Sequence, residues 1–115
     1  MRLPRKASIR LRSEFAKVRQ HGKSSAGRYL VLGALHDPEL DRFKVGYITT
    51  RKIGKAVERN HIRRRFRAIV NQHGHRILPG FYLVTIARYR APGATFDELE
   101  RDWLKQARRL KILSD

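Results

Sequence analysis

The residues best suited to chemistry lie between Lys52 and Arg67, where the chain reads KIGKAVERNHIRRRFR. Five arginines fall within nine positions of this stretch. Guanidinium groups bind phosphate oxygens through two parallel hydrogen bonds, which favours a phosphate-rich ligand. A helix turns about 100° per residue, so four of the arginines and one asparagine share a continuous arc: Arg59, Asn60, Arg63, Arg64 and Arg67.

The same helix has an apolar side that predicts how it packs. Ile62, Phe66, Ile69 and Val70 fall on a separate arc, so we expect them to face the core. Arg65 belongs to neither arc and is interpreted as a surface residue. Two lysines, Lys52 and Lys55, lie at the turn before the helix, where backbone amides also attract anions.

The composition indicates the class of partner. The chain has 27 Lys and Arg against 10 Asp and Glu, a net charge of +17 on 115 residues. A polyanion relieves the resulting self-repulsion and releases counterions, so nucleic acid is the expected partner. An anionic membrane surface is the alternative, but no stretch is long and apolar enough to span a bilayer. With no signal peptide apparent, a soluble, cytoplasmic protein is expected.

The sequence carries little that could catalyse a reaction. It has no cysteine, and neither a Ser/His/Asp arrangement nor a phosphate-loop glycine pattern is apparent. His73-Gly74-His75 is a weak metal motif, because it has no obvious third ligand. We therefore predict no catalytic residue and no metal site in the protein itself.

The length predicts a single domain over residues 1–115, with residues 1–12 as a mobile basic arm. A short helix is expected from an N-cap at Ser13 to Gly22, and the basic helix from about Lys55 to Gln72. Apolar, β-branched runs predict strands at 28–36, 43–50 and 81–88, the first two as an antiparallel pair. Gly46 within a strand indicates a bulge or a close approach.

The last helix has the clearest start signal. Thr95 and Glu98 fit a capping box, and Trp103 is predicted to pack this helix onto the sheet. The predicted order is α-β-β-α-β-α, a small α+β sandwich with a central sheet flanked by helices.

These residues resemble the protein component of bacterial ribonuclease P. The family's signature helix reads approximately Gly-x-Ala-Val-x-Arg-Asn-x-x-Lys/Arg-Arg-x-x-Arg. The similarity extends to the helix around Phe15 and Val18 and to the overall length. The matching signature positions are Gly54, Ala56, Val57, Arg59, Asn60, Arg63, Arg64 and Arg67.

The resemblance implies a fold and a division of labour. The implied fold has a left-handed βαβ crossover through the basic helix, whereas general rules favour the right-handed form. In the family a large RNA with bound magnesium cleaves precursor tRNA to release its 5′ leader. The protein binds that RNA through its arginine helix and holds the leader in a cleft between the sheet and the first helix. The implied partners are thus ribonuclease P RNA and precursor tRNA, with no membrane or protein partner.

Two sets of site residues follow for this chain. The RNA-binding set is Lys52, Lys55, Arg59, Asn60, Arg63, Arg64 and Arg67. The leader-cleft set is Phe15, Arg19, Tyr47, Thr50 and Arg88, of which Phe15 and Tyr47 could instead be core residues. Arg19 and Gly33 stand where the family commonly has aromatic residues. This predicts that the leader is bound more by charge and less by stacking.

Two other functions remain open at this level. A ribosomal or other structural RNA-binding protein would share the size and charge, but has no reason to carry the signature in register. A stand-alone nuclease would need a cluster of acids and histidines that the sequence does not show.

Overall fold

The computed structural model describes residues 7–114 as an α+β fold of three helices and one four-stranded sheet. The helices are α1 (Arg12–His21), α2 (Ala56–His73) and α3 (Phe96–Arg109), and the strands are β1 (Lys23–Ala26), β2 (Leu30–His36), β3 (Phe43–Ile48) and β4 (Phe81–Ala87). None of the helices in the described range is long and apolar enough to cross a membrane.

The strand order β1-β2-β4-β3 corrects the predicted antiparallel pair. Strand β4 lies between β2 and β3, antiparallel to the former and parallel to the latter. Five of its seven residues are buried, and a strand covered on both faces belongs at the centre of a sheet. The parallel β3–α2–β4 unit is the crossover that the resemblance implies, and its handedness stays a prediction.

Strand β1 was not predicted, because its sequence Lys-Ser-Ser-Ala lacks the β-branched and aromatic residues that mark strands. It forms the edge next to β2, and buried polar side chains of α3 support this end of the sheet. Asp102 accepts hydrogen bonds from the amides of Tyr29 and Leu30 at 2.8 and 3.2 Å. Ser25 donates to Gln106 at 2.6 Å.

Two apolar clusters fill the two faces of the sheet. The larger one lies between the sheet and helices α2 and α3, and contains the fully buried Phe66 and Trp103. Trp103 is thus a core residue as predicted, and its indole nitrogen donates to Thr85 at 3.2 Å. The predicted capping box of α3 is also confirmed, with Glu98 and Thr95 bonding each other's amides.

The smaller cluster packs under α1 on the opposite face. It contains Ile9, Val18, Tyr82 and Val84, with Phe15 packed against it. Gly46 of β3 confirms the expected close approach, because a Cβ there would lie 2.7 Å from the Phe15 ring and 3.2 Å from Ile9.

The start of α1 differs from the prediction. The helix begins at Arg12, and Glu14 rather than Ser13 caps it by accepting from the amides of Arg10 and Leu11. The mobile arm expected over residues 1–12 does not extend to residues 7–12. Ile9 is buried and donates a backbone hydrogen bond to Val45 at 2.8 Å. Residues 1–6 of that arm lie outside the described residues.

Replacing Gly46 tests the contact that seats α1. We expect Gly46→Ala to lower the free energy of unfolding by about 1–3 kcal/mol, because the new methyl group overlaps the Phe15 ring. Urea denaturation measures this change. Gly93→Ala is the matched control, since a Cβ at Gly93 meets nothing within 4 Å and its backbone has no positive φ. Equal effects of the two substitutions would contradict the close packing of Phe15.

Candidate nucleic-acid interface

Helix α2 is positioned by its apolar side. Ile62, Phe66, Ile69 and Val70 are all buried in the large cluster, as their spacing predicted. The helix begins after Gly54, whose φ of +152° is a conformation that favours glycine. Its observed bounds agree with the predicted ones to within about a residue.

The predicted RNA-binding residues all reach the surface. Five of them are exposed, and Arg59 and Arg63 are half-buried. The ion pairs among residues 7–114 join Lys44 to Glu14 and His73 to Glu100, so neither involves an arginine of α2. The exposed residues of the set are Lys52, Lys55, Asn60, Arg64 and Arg67.

Weak internal contacts orient these side chains without neutralising them. Arg63 donates to the Asn60 side chain at 3.3 Å, and Arg59 donates to the carbonyl of Gly54 at 3.4 Å. A guanidinium carries five N–H donors, so one internal bond leaves four for a ligand. The face can therefore bind several phosphates of one polyanion.

Arg65 has a structural role that corrects its interpretation as a surface residue. Its guanidinium is half-buried and donates to the carbonyl of Ala94 at 2.8 Å. Ala94 follows a 3-10 turn at Ala91–Gly93 that precedes α3. Arg65 thus ties the middle of α2 to this turn and is unavailable as a freely rotating phosphate ligand.

Tyr47 lies beside the arginine face, not in the predicted cleft. Side chains alternate along β3, so Tyr47 and Gly46 point to opposite faces of the sheet. The Tyr47 ring packs on the α2 side, with its centroid 6.5 Å from that of Phe66 and 6.0 Å from the Arg67 guanidinium carbon. Tyr47 and Phe15 therefore lie on opposite faces of the sheet.

The other leader-cleft candidates lie in two places, on α1 and at the ends of strands. Phe15 is half-buried and Arg19 is exposed one helical turn later. Thr50 is exposed just beyond β3, and Arg88 follows β4 and donates to the carbonyl of Gly27 at 2.8 Å. The structure thus places Phe15 and Arg19 together on α1, and Thr50 and Arg88 at the ends of the sheet strands.

Sequence reasoning missed the apolar floor of this face. Ile48 and Ile86 are direct partners in the parallel register of β3 and β4, and both are only partly buried. Their alternation with the buried positions Val45 and Ala87 is the signal that could have identified them. Gly33 keeps α1 close, since a Cβ there would lie 3.3 Å from Val18.

A buried acid holds the start of α1 against the sheet. Glu14 pairs with Lys44 at 3.0 Å and also accepts the two amides at the helix start. Burial raises the pKa of Glu14, but the hydrogen bonds from Lys44, Leu11 and Arg10 outweigh it and hold the pKa below its usual value. The carboxylate therefore stays charged and keeps α1 in place at neutral pH.

No group of three or more His, Asp or Glu side chains converges as a metal site within residues 7–114. His73 instead pairs with Glu100 at 3.1 Å, and its ring stacks on Trp103 with 6.1 Å between centroids. Its packing gives this histidine a structural role in joining α2 to α3.

The environment of Tyr47 predicts a measurable titration. Burial raises the pKa of Tyr47 to about 12, although the nearby Arg67 lowers it in part. The pKa of Tyr47 is thus higher in the folded than in the unfolded protein, where it is about 10. The contribution of Tyr47 to stability is therefore fully present below pH ~10 and is lost as the pH rises through about 12. Ultraviolet titration of the phenolate in wild type and Tyr47→Phe should isolate this group. A Tyr47 that ionises at its ordinary value would contradict its burial beneath α2.

Comparison with known proteins agrees with this arrangement. The sequence model of the Ribonuclease P family matches residues 3–111. The ribonuclease P protein component of Syntrophomonas wolfei is 35% identical over 102 residues, covering 89% of this chain and 85% of the relative. That of Clostridioides difficile is 36% identical over 101 residues, covering 87% and 88%.

Solved structures show the same fold. The Staphylococcus aureus RNase P protein superposes with a TM-score of 0.87 at 27% identity, covering 94% of this chain and 98% of its own. The Thermotoga maritima RNase P protein, solved in complex with 1-(4-fluorophenyl)-2-thiourea, gives a TM-score of 0.78 at 30% identity, covering 90% and 96%. On the family match and these relatives, the chain belongs to the ribonuclease P protein family.

Proposed function

We propose that this chain is the accessory protein subunit of ribonuclease P, the ribonucleoprotein endoribonuclease that matures the 5′ end of tRNA. Its partners are the ribonuclease P RNA and precursor tRNA. Its proposed location is the cytoplasm, where both RNAs are made. The observation that carries this proposal is the signature helix α2. On one side of a family-typical fold it presents arginines that have no ion-pair partner among residues 7–114.

The arginine face of α2 binds the RNA subunit in this proposal. Arg59, Arg63 and Arg67 are spaced four residues apart, so they line one side of the helix along about 12 Å. Lys52 and Lys55 extend the positive surface beyond the helix start, and Asn60 and Arg64 widen it. Contacts of this kind supply affinity that falls steeply with salt.

The face of the sheet beside α1 binds the single-stranded leader. Phe15 offers a partly exposed ring for stacking, while Ile48 and Ile86 provide an apolar floor. Arg19, Thr50 and Arg88 supply polar and charged groups around it. Stacking on aromatic rings is tolerant of sequence, which suits leaders of different composition. Tyr47 lies on the other side of the sheet and belongs with the arginine face instead.

Catalysis belongs to the RNA subunit with its magnesium. Among residues 7–114 no three acidic or histidine side chains converge as a metal site, and Glu14, Glu98 and Asp102 serve in capping and packing. The protein chain contributes binding and orientation of the RNA strands. A ribosomal protein, the alternative considered from composition, is disfavoured by the family match over residues 3–111.

Removing the arginine stripe should weaken assembly with the RNA. We expect Arg59→Ala/Arg63→Ala/Arg67→Ala to abolish the stimulation of precursor tRNA cleavage by a bacterial ribonuclease P RNA at low magnesium. The slope of log affinity against log salt should fall by about 2–3, because up to three phosphate contacts are lost. Cleavage rates and filter binding across a salt series measure both effects.

Arg101→Ala/Lys105→Ala/Arg108→Ala is the matched control, since it removes the same charge from the exposed side of α3. If both triple variants lost affinity and slope equally, net charge rather than the α2 face would explain binding.

Changes on α1 should alter substrate preference instead. We expect Phe15→Ala to reduce the preference for precursor over mature tRNA by about 1–3 kcal/mol, because one stacked base is lost. Arg19→Ala should act in the same direction through the leader phosphates. Competition between the two tRNAs for the assembled holoenzyme measures the preference.

Lys17→Ala is the control, because Lys17 lies on the other flank of α1, 5.5 Å over the Tyr82 ring. If both the Phe15 and the Arg19 variants kept the full preference for precursor over mature tRNA, the leader would have to bind at another surface.

A further inference from the structure

A shallow groove runs along the side of α2 that faces the Ala91–Gly93 turn. It has a volume of about 500 Å³ and is open to solvent. Its lining differs from the arginine stripe in being partly apolar, with Val57 and Pro92 on its two walls. The rest of the lining comes from α2: Glu58, Asn60, His61, Ile62, Arg64 and Arg65.

Val57 is the unexplained residue of this region. Its side chain is 79% exposed, the highest value among the large apolar residues of the described chain. Valine is a weaker helix former than alanine, so neither packing nor helix propensity accounts for it. It lies in the first turn of α2, beside the charged and polar side chains of Glu58 and His61.

The groove is fixed rather than formed by a flexible loop. Arg65 donates to the carbonyl of Ala94 at 2.8 Å, which holds the turn against the middle of α2. Ala91 and Ala94, on either side of Pro92, are buried at 0% and 5% exposure. The wall carrying Pro92 is therefore anchored at both ends.

We propose that this groove binds one unstacked nucleobase of the RNA that the α2 face engages. The inference rests on the proposed function and deepens it, adding a base contact to the phosphate contacts. Val57 and His61, one helical turn apart on α2, contact one face of the base, and Pro92 contacts the other. Arg64, which belongs to both surfaces, holds the adjoining phosphate.

The polar groups beside the apolar walls suit the edge of a base. Glu58 is the single acid of α2 and lines the groove, with its carboxylate over Gly54, and it offsets part of the positive charge of Arg64 and of Arg65, which is bonded to Ala94. A carboxylate accepts hydrogen bonds from the amino groups of bases. Asn60 accepts from Arg63 through its oxygen at 3.3 Å, which leaves its amide hydrogens to donate to a base edge.

The first test uses small probes. Nuclear magnetic resonance titration with a nucleoside 5′-monophosphate should shift the Val57 methyl groups, the His61 ring and the Gly93 amide. Ribose 5-phosphate, which lacks the base, should shift only arginine signals. Identical shifts from the two probes, or none near Val57 with either, would overturn the proposal.

The second test uses the RNA subunit with Val57→Ala, a change that favours the helix and so preserves folding. We expect affinity for ribonuclease P RNA to fall about five- to tenfold, with the salt slope unchanged, because an apolar contact is lost and no phosphate contact is. His61→Phe should retain binding, and His61→Ala should weaken it. Leu11→Ala, which trims another exposed apolar side chain at 61% exposure, is the control.

The outcomes separate this inference from the proposed function. Wild type that fails to bind the RNA at all would reject the proposed function. If the wild type and Val57→Ala bound the RNA equally and with the same salt dependence, the proposed base contact would be rejected while the proposed function would stand.

Discussion

Burial of one side of α2 is the constraint on which the rest of this structure depends. Ile62 and Phe66 are sealed between the sheet and α3, at 2% and 0% exposure. Once they are buried, the rotation of the helix is fixed and the guanidinium groups can only point outward. The same packing brings the Tyr47 ring under Arg67 and positions Arg65 to bond the turn before α3.

Electrostatic repulsion opposes this compact packing. A net charge of +17 on 115 residues repels itself, and the ion pairs of the described residues leave the α2 arginines unneutralised. The protein tolerates this repulsion because the arginines are spread over a solvated surface. Its buried acids stabilise the fold through hydrogen bonds and an ion pair. Asp102 satisfies the amides at the start of β2, and Glu14 secures α1. Binding RNA relieves the repulsion, so function removes the main electrostatic cost of the fold.

The two faces of the sheet differ in chemistry, and the proposed function gives each face its own kind of RNA contact. On one side α2 presents fixed guanidinium groups, which suit a folded RNA with phosphates at defined positions. On the other side Phe15 and the Ile48–Ile86 pair form a half-open apolar surface, which suits unpaired bases. Because neighbouring residues of a strand point to opposite faces, Tyr47 lies on the α2 side of the sheet while Gly46 faces α1.

The sequence alone determined the elements whose signals are local. The α2 amphipathicity, the Thr95–Glu98 capping box and the core position of Trp103 all follow from spacing within a few residues. Other features are set by contacts between distant segments, and only the tertiary structure decided them. They are the central place of β4, the edge strand β1, and the face on which Tyr47 lies. Strand order and the role of Arg65 depend on contacts between segments distant in the chain, and a local pattern carries no information about which segments meet.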